Sequence, residues 1–176
     1  ITFPDNVTSI SAYTFAANKN IKIVNLNKVE TIGTNAFVNS GLENILGDNV
    51  NNVDIMSFTN TPWLQNQNSE CIAIGNVLIK SITNEEKVVV DEGIERIASN
   101  SMYSTTLKQL ELPTTIDSIG KNAFTDCSSL ESVIIKSSVP PTLDGDCFNE
   151  NVKIYVGEYY YNYYDEDIYF QNISNS

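Results

Sequence analysis

Aligned on its aromatic residues, the chain repeats. Phe15 to Phe37 is 22 residues, Phe37 to Phe58 is 21 and Met102 to Phe124 is 22. Phe58 to Met102 is 44, twice the unit, so the phase survives the stretch between them. Phe124 to Phe148 is a stretched 24. Five residues before each anchor stands Ile10, Ile32, Val53, Ile97, Ile119 or Leu143, and eight before it Val7, Val29, Val50, Ile94 or Ile116, with Pro140 breaking the last. A small residue usually precedes the aromatic: Ala36, Ser57, Ser101, Ala123 and Cys147. After the anchor runs a segment of the form L-x-x-[IVL]-x-[ILV], clearest at 107–112 and 130–135. Pro4, Asn27, Asp91 and Pro113 end such segments.

This pattern predicts short strands with one buried and one wet face, because side chains alternate along a strand. The Ile32-Gly33 and Ile119-Gly120 steps are expected to make sharp backbone turns. The Asn/Ser-rich bend after the aromatic, such as 125–129, can satisfy turn amides and carbonyls from its own side chains. One such unit buries too little to fold alone, so neighbours must stack. The expected architecture is a right-handed leucine-rich-repeat solenoid of about seven coils, its hand following the rule for parallel crossovers. At ~4.8 Å per strand it would be roughly 30–35 Å long. A parallel concave sheet of short strands would face turns and short helical turns on the convex side. No segment sustains a 3.6-residue period, so long helices are not expected.

The stretch Ile-Asp-Ser-Ile-Gly-Lys-Asn-Ala-Phe-Thr-Asp-Cys-Ser-Ser-Leu, residues 116–130, resembles the repeat of BspA-like, or Treponema-type, leucine-rich-repeat surface proteins. Residues 1–10, 29–42 and 94–107 match more loosely. Val139-Pro140-Pro141-Thr142-Leu143 resembles the penultimate repeat of such arrays, and the Tyr-rich tail their end cap; together these cover nearly the whole chain. Asp54 and Ala98 depart from the pattern at the turn-glycine position, and Met102 at the aromatic one. The resemblance implies bacterial cell-surface proteins, often adhesive to host molecules or other cells, and carries no catalytic residues.

Between 61 and 87 the repeat lapses. Cys71–Ile74 and Val77–Lys80 flank Gly75-Asn76, the pattern of a β-hairpin. The pairing expected across that loop sets Ile74 against Val77 and Ile72 against Ile79, on one face that packs inward. Cys71, Ala73, Leu78 and Lys80 would share the other. Similar proteins carry such islands after a Thr-Pro-Trp-Leu-like step; a plain structural insertion and a ligand-contacting protrusion both fit. Residues 158–170 hold six tyrosines around Asp165-Glu166-Asp167, suited to sealing the last coil or to recognition. The chain thus reads as one domain, 1–176, with repeats at about 1–60 and 88–153, the island at 61–87 and a cap at 154–176.

Charge and composition then narrow the chemistry. Lys+Arg 10 against Asp+Glu 22 gives −12 with no basic stripe, which argues against nucleic acid. There is no histidine, the commonest general base and metal ligand. Cys71, Cys127 and Cys147 are odd in number and lack C-x-x-C spacing; Cys127 and Cys147 fall where small buried groups belong and read as structural thiols. Asp144-Gly145-Asp146 with Asn149 and Glu150 is a poor calcium loop, its glycine misplaced. Glu30, Glu95 and Asp117 recur at one repeat phase and mark a solvated face. Two sequons, at Asn6 and Asn172, matter only in a glycosylating host. No apolar run reaches spanning length and no signal peptide is visible, while the opening on Ile1 is that of a fragment or processed product. Neither cofactor nor metal is expected, and no enzyme activity.

What remains is a surface. The central outward position of each concave strand runs Thr2, Asn25, Leu46, and beyond the island Val89, Glu111, Ile134 and Tyr155. Leu46, Val89, Glu111, Ile134 and Tyr155 are the candidate ligand-binding residues, with Lys108, Gln109, Glu131 and Lys153 as a polar rim. Aligned exposed apolar side chains form the kind of patch that marks recognition; strand propensity alone would also place β-branched residues there. The reading is a non-catalytic, monomeric, secreted or cell-surface module binding an extracellular protein or glycan. The alternative is a structural spacer or self-assembling stalk element.

Overall fold

The computed structural model describes residues 1–54, 56–67, 70–156 and 170–172. Two compact units divide the chain, Ile1–Ile79 and Lys80–Ser176. Counted along the sequence it is a parallel β-solenoid of about seven turns with almost no helix.

In the first unit the strands are β1 (Ser9–Ile10), β2 (Ile23–Asn25), β3 (Thr31–Ile32), β4 (Asn44–Leu46) and β5 (Asn52–Val53). They form two parallel ladders, β1-β3-β5 and β2-β4. The repeat register is realised residue by residue: Ile10 pairs with Ile32 and Ile32 with Val53. Behind them the anchors stack. Phe15 and Phe37 lie 5.2 Å apart at 17°, and Phe37 and Phe58 5.4 Å apart at 6°. Phe3 and Trp63 close the column with tilted rings at 5.9 and 5.0 Å. Trp63 gets there because the chain turns once into a helix, α1 (Pro62–Gln65). Thr61 caps it by accepting from Leu64 N at 3.2 Å, and Pro62 starts it without wasting a donor. The apparent break at 62–64 is therefore the end of the aromatic column.

The hairpin follows as β6 (Cys71–Ile74) and β7 (Val77–Ile82). Its loop glycine, Gly75, has φ +57, and a Cβ there would stand 2.3 Å from the Asp48 carbonyl oxygen, so the turn is pressed onto the repeat backbone. Ile74 and Val77 are buried as expected. The expected docking face is otherwise corrected: Ile72 and Ile79 are only half-buried, whereas Leu78, assigned to the outer face, is buried. Beyond Lys80, β7 leaves the hairpin and pairs parallel with β10 (Met102–Ser104), Ser81 against Met102. Val77 and Leu78 are adjacent and take opposite faces, so with both buried β7 is covered on both faces there, which the two-face pattern of an isolated hairpin does not anticipate.

The second unit adds β8 (Lys87–Val89), β9 (Arg96–Ile97), β11 (Gln109–Leu112), β12 (Ser118–Ile119), β13 (Asp126–Cys127), β14 (Ser132–Ile135), β15 (Thr142–Leu143), β16 (Lys153–Val156) and β17 (Phe170–Asn172). One parallel sheet runs β8-β11-β14-β16-β17. A second ladder joins β9, β12 and β15, with Ile97, Ile119 and Leu143 in register. Met102 and Phe124 are fully buried, and Phe124 stacks on Phe148 at 5.1 Å. The tyrosine-rich stretch expected to cap this unit, 158–170, lies outside the described residues except at the Phe170 backbone.

The turn chemistry differs from expectation. Neither Gly33 nor Gly120 has positive φ. Each is required by close approach: a Cβ on Gly33 would lie 2.7 Å from Ala12 N, and one on Gly120 2.6 Å from Ser99 N. Left-handed residues instead stand two before the anchor, as Tyr13, Asn35, Met56, Asn100 and Asn122, and in the first unit also two after it, as Ala17, Asn39 and Asn60. Asparagine recurs there because its side chain tolerates that conformation better than other L-residues. Three residues after the anchor a short polar side chain takes the free amides of the bend. Ser40 Oγ accepts from Leu42 N, Thr61 Oγ1 from Leu64 N, and Asn18 Oδ1 from Asn20 N.

Candidate ligand-binding face

The sheet β8-β11-β14-β16 is built by strict alternation. Val88, Leu110, Val133 and Ile154 point inward and are buried, each in register with the next. Their neighbours on either side therefore point outward. One outward row is Lys87, Gln109, Ser132 and Lys153; the other is Val89, Glu111, Ile134 and Tyr155. Coils ~4.8 Å apart make each row nearly continuous. In the second row Val89 is the most open, at 51% exposure, while Glu111, Ile134 and Tyr155 are half-covered by their neighbours. The backbone of Gln171 on β17 continues the row beside Tyr155.

Four of the five candidate residues are thus brought together. Leu46 is not among them. It stands 47% exposed in the first unit, in the row Thr2–Asn25–Leu46, with Ile23 and Asn44 in the row before it. Asn25 does not face outward freely there: its Oδ1 accepts from Asn27 N at 3.0 Å.

Glu111 is the electrostatic centre of the second-unit face. Its carboxylate is ion-paired with Lys136 at 2.8 Å and with Lys87. Hydrogen bonds from Lys136, then from Lys87, hold its carboxyl below the usual glutamate range against the opposing pull of partial burial. Neither lysine stands out from its position in the repeat. The usable signal was diagonal, since each lies two residues off the position directly opposite Glu111, within reach of a long side chain. Of the expected rim, Gln109 and Lys153 fall in the first outward row. Lys108 sits at the entry edge, bonded to Glu86 at 2.8 Å and near Glu131.

The remaining chemistry is structural. Cys127 and Cys147 are buried, and burial pushes both thiols up to about 11, so they are protonated at neutral pH. A protonated buried thiol is a poor nucleophile. Cys147 Sγ lies 3.4 Å from the Ile119 carbonyl oxygen, filling the small-residue position that Ala36 and Ala123 fill elsewhere. Glu30, Glu95 and Asp117 are exposed, as their repeat phase requires. Among the described residues no group of His, Cys, Asp and Glu is placed to hold a metal ion, and no helix is long and apolar enough to cross a membrane.

Fold and face together define a leucine-rich-repeat module of the protein-interaction kind. Six copies of the BspA type leucine rich repeat region match residues 1–65 and 64–159, and the chain belongs to that family. A search of curated proteins returns no match. Among solved structures a leucine-rich repeat protein from Bacteroides ovatus is similar at 10% identity, over 99% of this chain and 77% of that one. Its TM-score is 0.28, too low for the likeness to bear on the fold.

Proposed function

We propose that this chain is the non-catalytic binding module of a secreted or cell-surface protein, and that it holds an extracellular partner on the outward face of β8-β11-β14-β16. The observation that carries this is the row Val89–Glu111–Ile134–Tyr155. Three apolar or aromatic side chains are aligned on the wet face of one sheet, around a carboxylate already neutralised by two lysines. A continuous face of this kind suits recognition better than scattered exposed residues do. Adhesion to host or neighbouring-cell molecules fits the family, with the chain acting as a monomer. Leu46 would form a second, smaller contact.

The test is a binding screen of the purified chain against extracellular-matrix and mucosal proteins, followed by Val89→Ser, Ile134→Ser and Tyr155→Ser combined. The triple variant is expected to keep its circular-dichroism spectrum and lose most of its attachment. Wild-type attachment in the folded variant would reduce the row to strand propensity.

A further inference from the structure

We propose that this face takes an acidic polypeptide segment bearing apolar side chains, and that Glu111 occupies the place of one of its carboxylates until the segment docks; this rests on the reading of the face given above. The chain carries −12 overall, yet the outward rows of this sheet invert that sign. Among the described residues they hold Lys87 and Lys153 against one carboxylate, Glu111, and at the next outward position Lys136 is balanced by Asp91 of the same repeat phase. Positive charge at the entry edge is already matched, since Lys108 pairs with Glu86 and lies near Glu131. A partner of the same sign as these lysines would gain nothing here, and a neutral one would leave them unused.

The burial of the three groups in the pair adds a direction. The Glu111 side chain is only 14% exposed, whereas Lys87 is 52% and Lys136 39% exposed. Each ammonium carries three donors, so contact with Glu111 leaves N–H groups turned to solvent. An arriving carboxylate meets those donors first and competes with Glu111 for them. The apolar members of the row decide between two acidic classes. Val89 and Ile134 are aliphatic and offer no ring face, leaving Tyr155 as the single aromatic of the row. An acidic glycan would draw on aromatic faces; aliphatic side chains of a polypeptide pack on Val89 and Ile134 directly.

The experiment uses the whole chain and short fluorescent peptides read by anisotropy. One intersperses Glu with Leu, one Lys with Leu and one Glu with Ser; hyaluronate oligosaccharide is the acidic glycan. The Glu/Leu peptide is expected to bind most tightly, with affinity falling as salt rises. Lys87→Gln with Lys153→Gln should weaken it about tenfold. Glu111→Gln, which keeps the shape and removes the competing charge, should tighten it about three- to tenfold. Thermal melts establish that each variant is folded; should Glu111→Gln unfold, the lysine pair alone decides.

Weaker or unchanged binding in folded Glu111→Gln overturns the role of Glu111. Stronger binding of hyaluronate or of Lys/Leu overturns the partner class. If no probe binds while a partner from the screen still depends on Val89, Ile134 and Tyr155, this inference falls and the binding face stands. If attachment ignores those three residues, the face itself falls.

Discussion

The two units run the same repeat on different supports. The first has three-residue outer strands, β2 and β4, and leans on a column of rings in which Phe37 is sandwiched between Phe15 and Phe58. In the second, β11, β14 and β16 are four residues long with full alternation, and the column is interrupted by Met102, leaving one ring pair among the described residues. The turns differ as well. Asn100 and Asn122 hold the left-handed position of the second unit, whereas the first places Tyr13 and Met56 there alongside Asn35. A repeat can evidently obtain its cohesion from stacked side chains or from the ladder. The unit with the longer ladder is the one that presents a broad outward face, because its two outward rows run across four paired strands, β8, β11, β14 and β16, rather than across β2 and β4.

That contrast can be broken most directly at the rings. Phe37→Ala should cost about 3–5 kcal/mol through the cavity it leaves, and Phe124→Ala about 1 kcal/mol less, since it has one stacked neighbour rather than two. Urea unfolding of both variants measures the difference; equal losses would mean that the column adds nothing beyond burial. The left-handed position should separate the units by sign. Met56→Asn is expected to stabilise by about 1 kcal/mol, and Asn100→Ala to destabilise by a similar amount. A loss in both would place the strain elsewhere.

A smaller effect distinguishes the residues before the anchors. Ser57 Oγ donates to the Gly33 carbonyl oxygen at 3.0 Å, whereas the buried Ser101 hydroxyl has no partner. Ser101→Ala should therefore be neutral or stabilising by about 0.5–1 kcal/mol, and Ser57→Ala destabilising. Both are read from the same unfolding curves.

The pH dependence belongs to the second unit, which holds both buried thiols. Folding raises their pKa to about 11 from about 8.5 in an unfolded chain. Their contribution is thus complete below about pH 8.5 and is lost as pH rises toward 11. The urea midpoint should fall across that window, and fall less steeply in Cys127→Ala/Cys147→Ala. An unchanged slope in the double variant would assign the alkaline loss to other groups.

The sequence by itself determined the repeat, the register and the outward row. A period near 22 with apolar residues at fixed offsets leaves one way to bury them all, so Ile10–Ile32–Val53 and Ile97–Ile119–Leu143 align from the sequence alone. Strand alternation then placed Val89, Glu111, Ile134 and Tyr155 on one wet row. Only the tertiary structure decided what depends on distances between coils. Gly33 and Gly120 were legible as special positions, yet their reason, a backbone less than 3 Å from any Cβ, exists only once coils are stacked. Leu78 is buried alongside its neighbour Val77, so β7 is covered on both faces there, which an alternating pattern read from one strand does not reveal. Glu111 read as an outward-row residue, and the stack gave it two lysine partners. Lys87 and Lys136 reach it diagonally across strands, and a repeat alignment compares positions at equal phase, so it passes over contacts made between unequal ones.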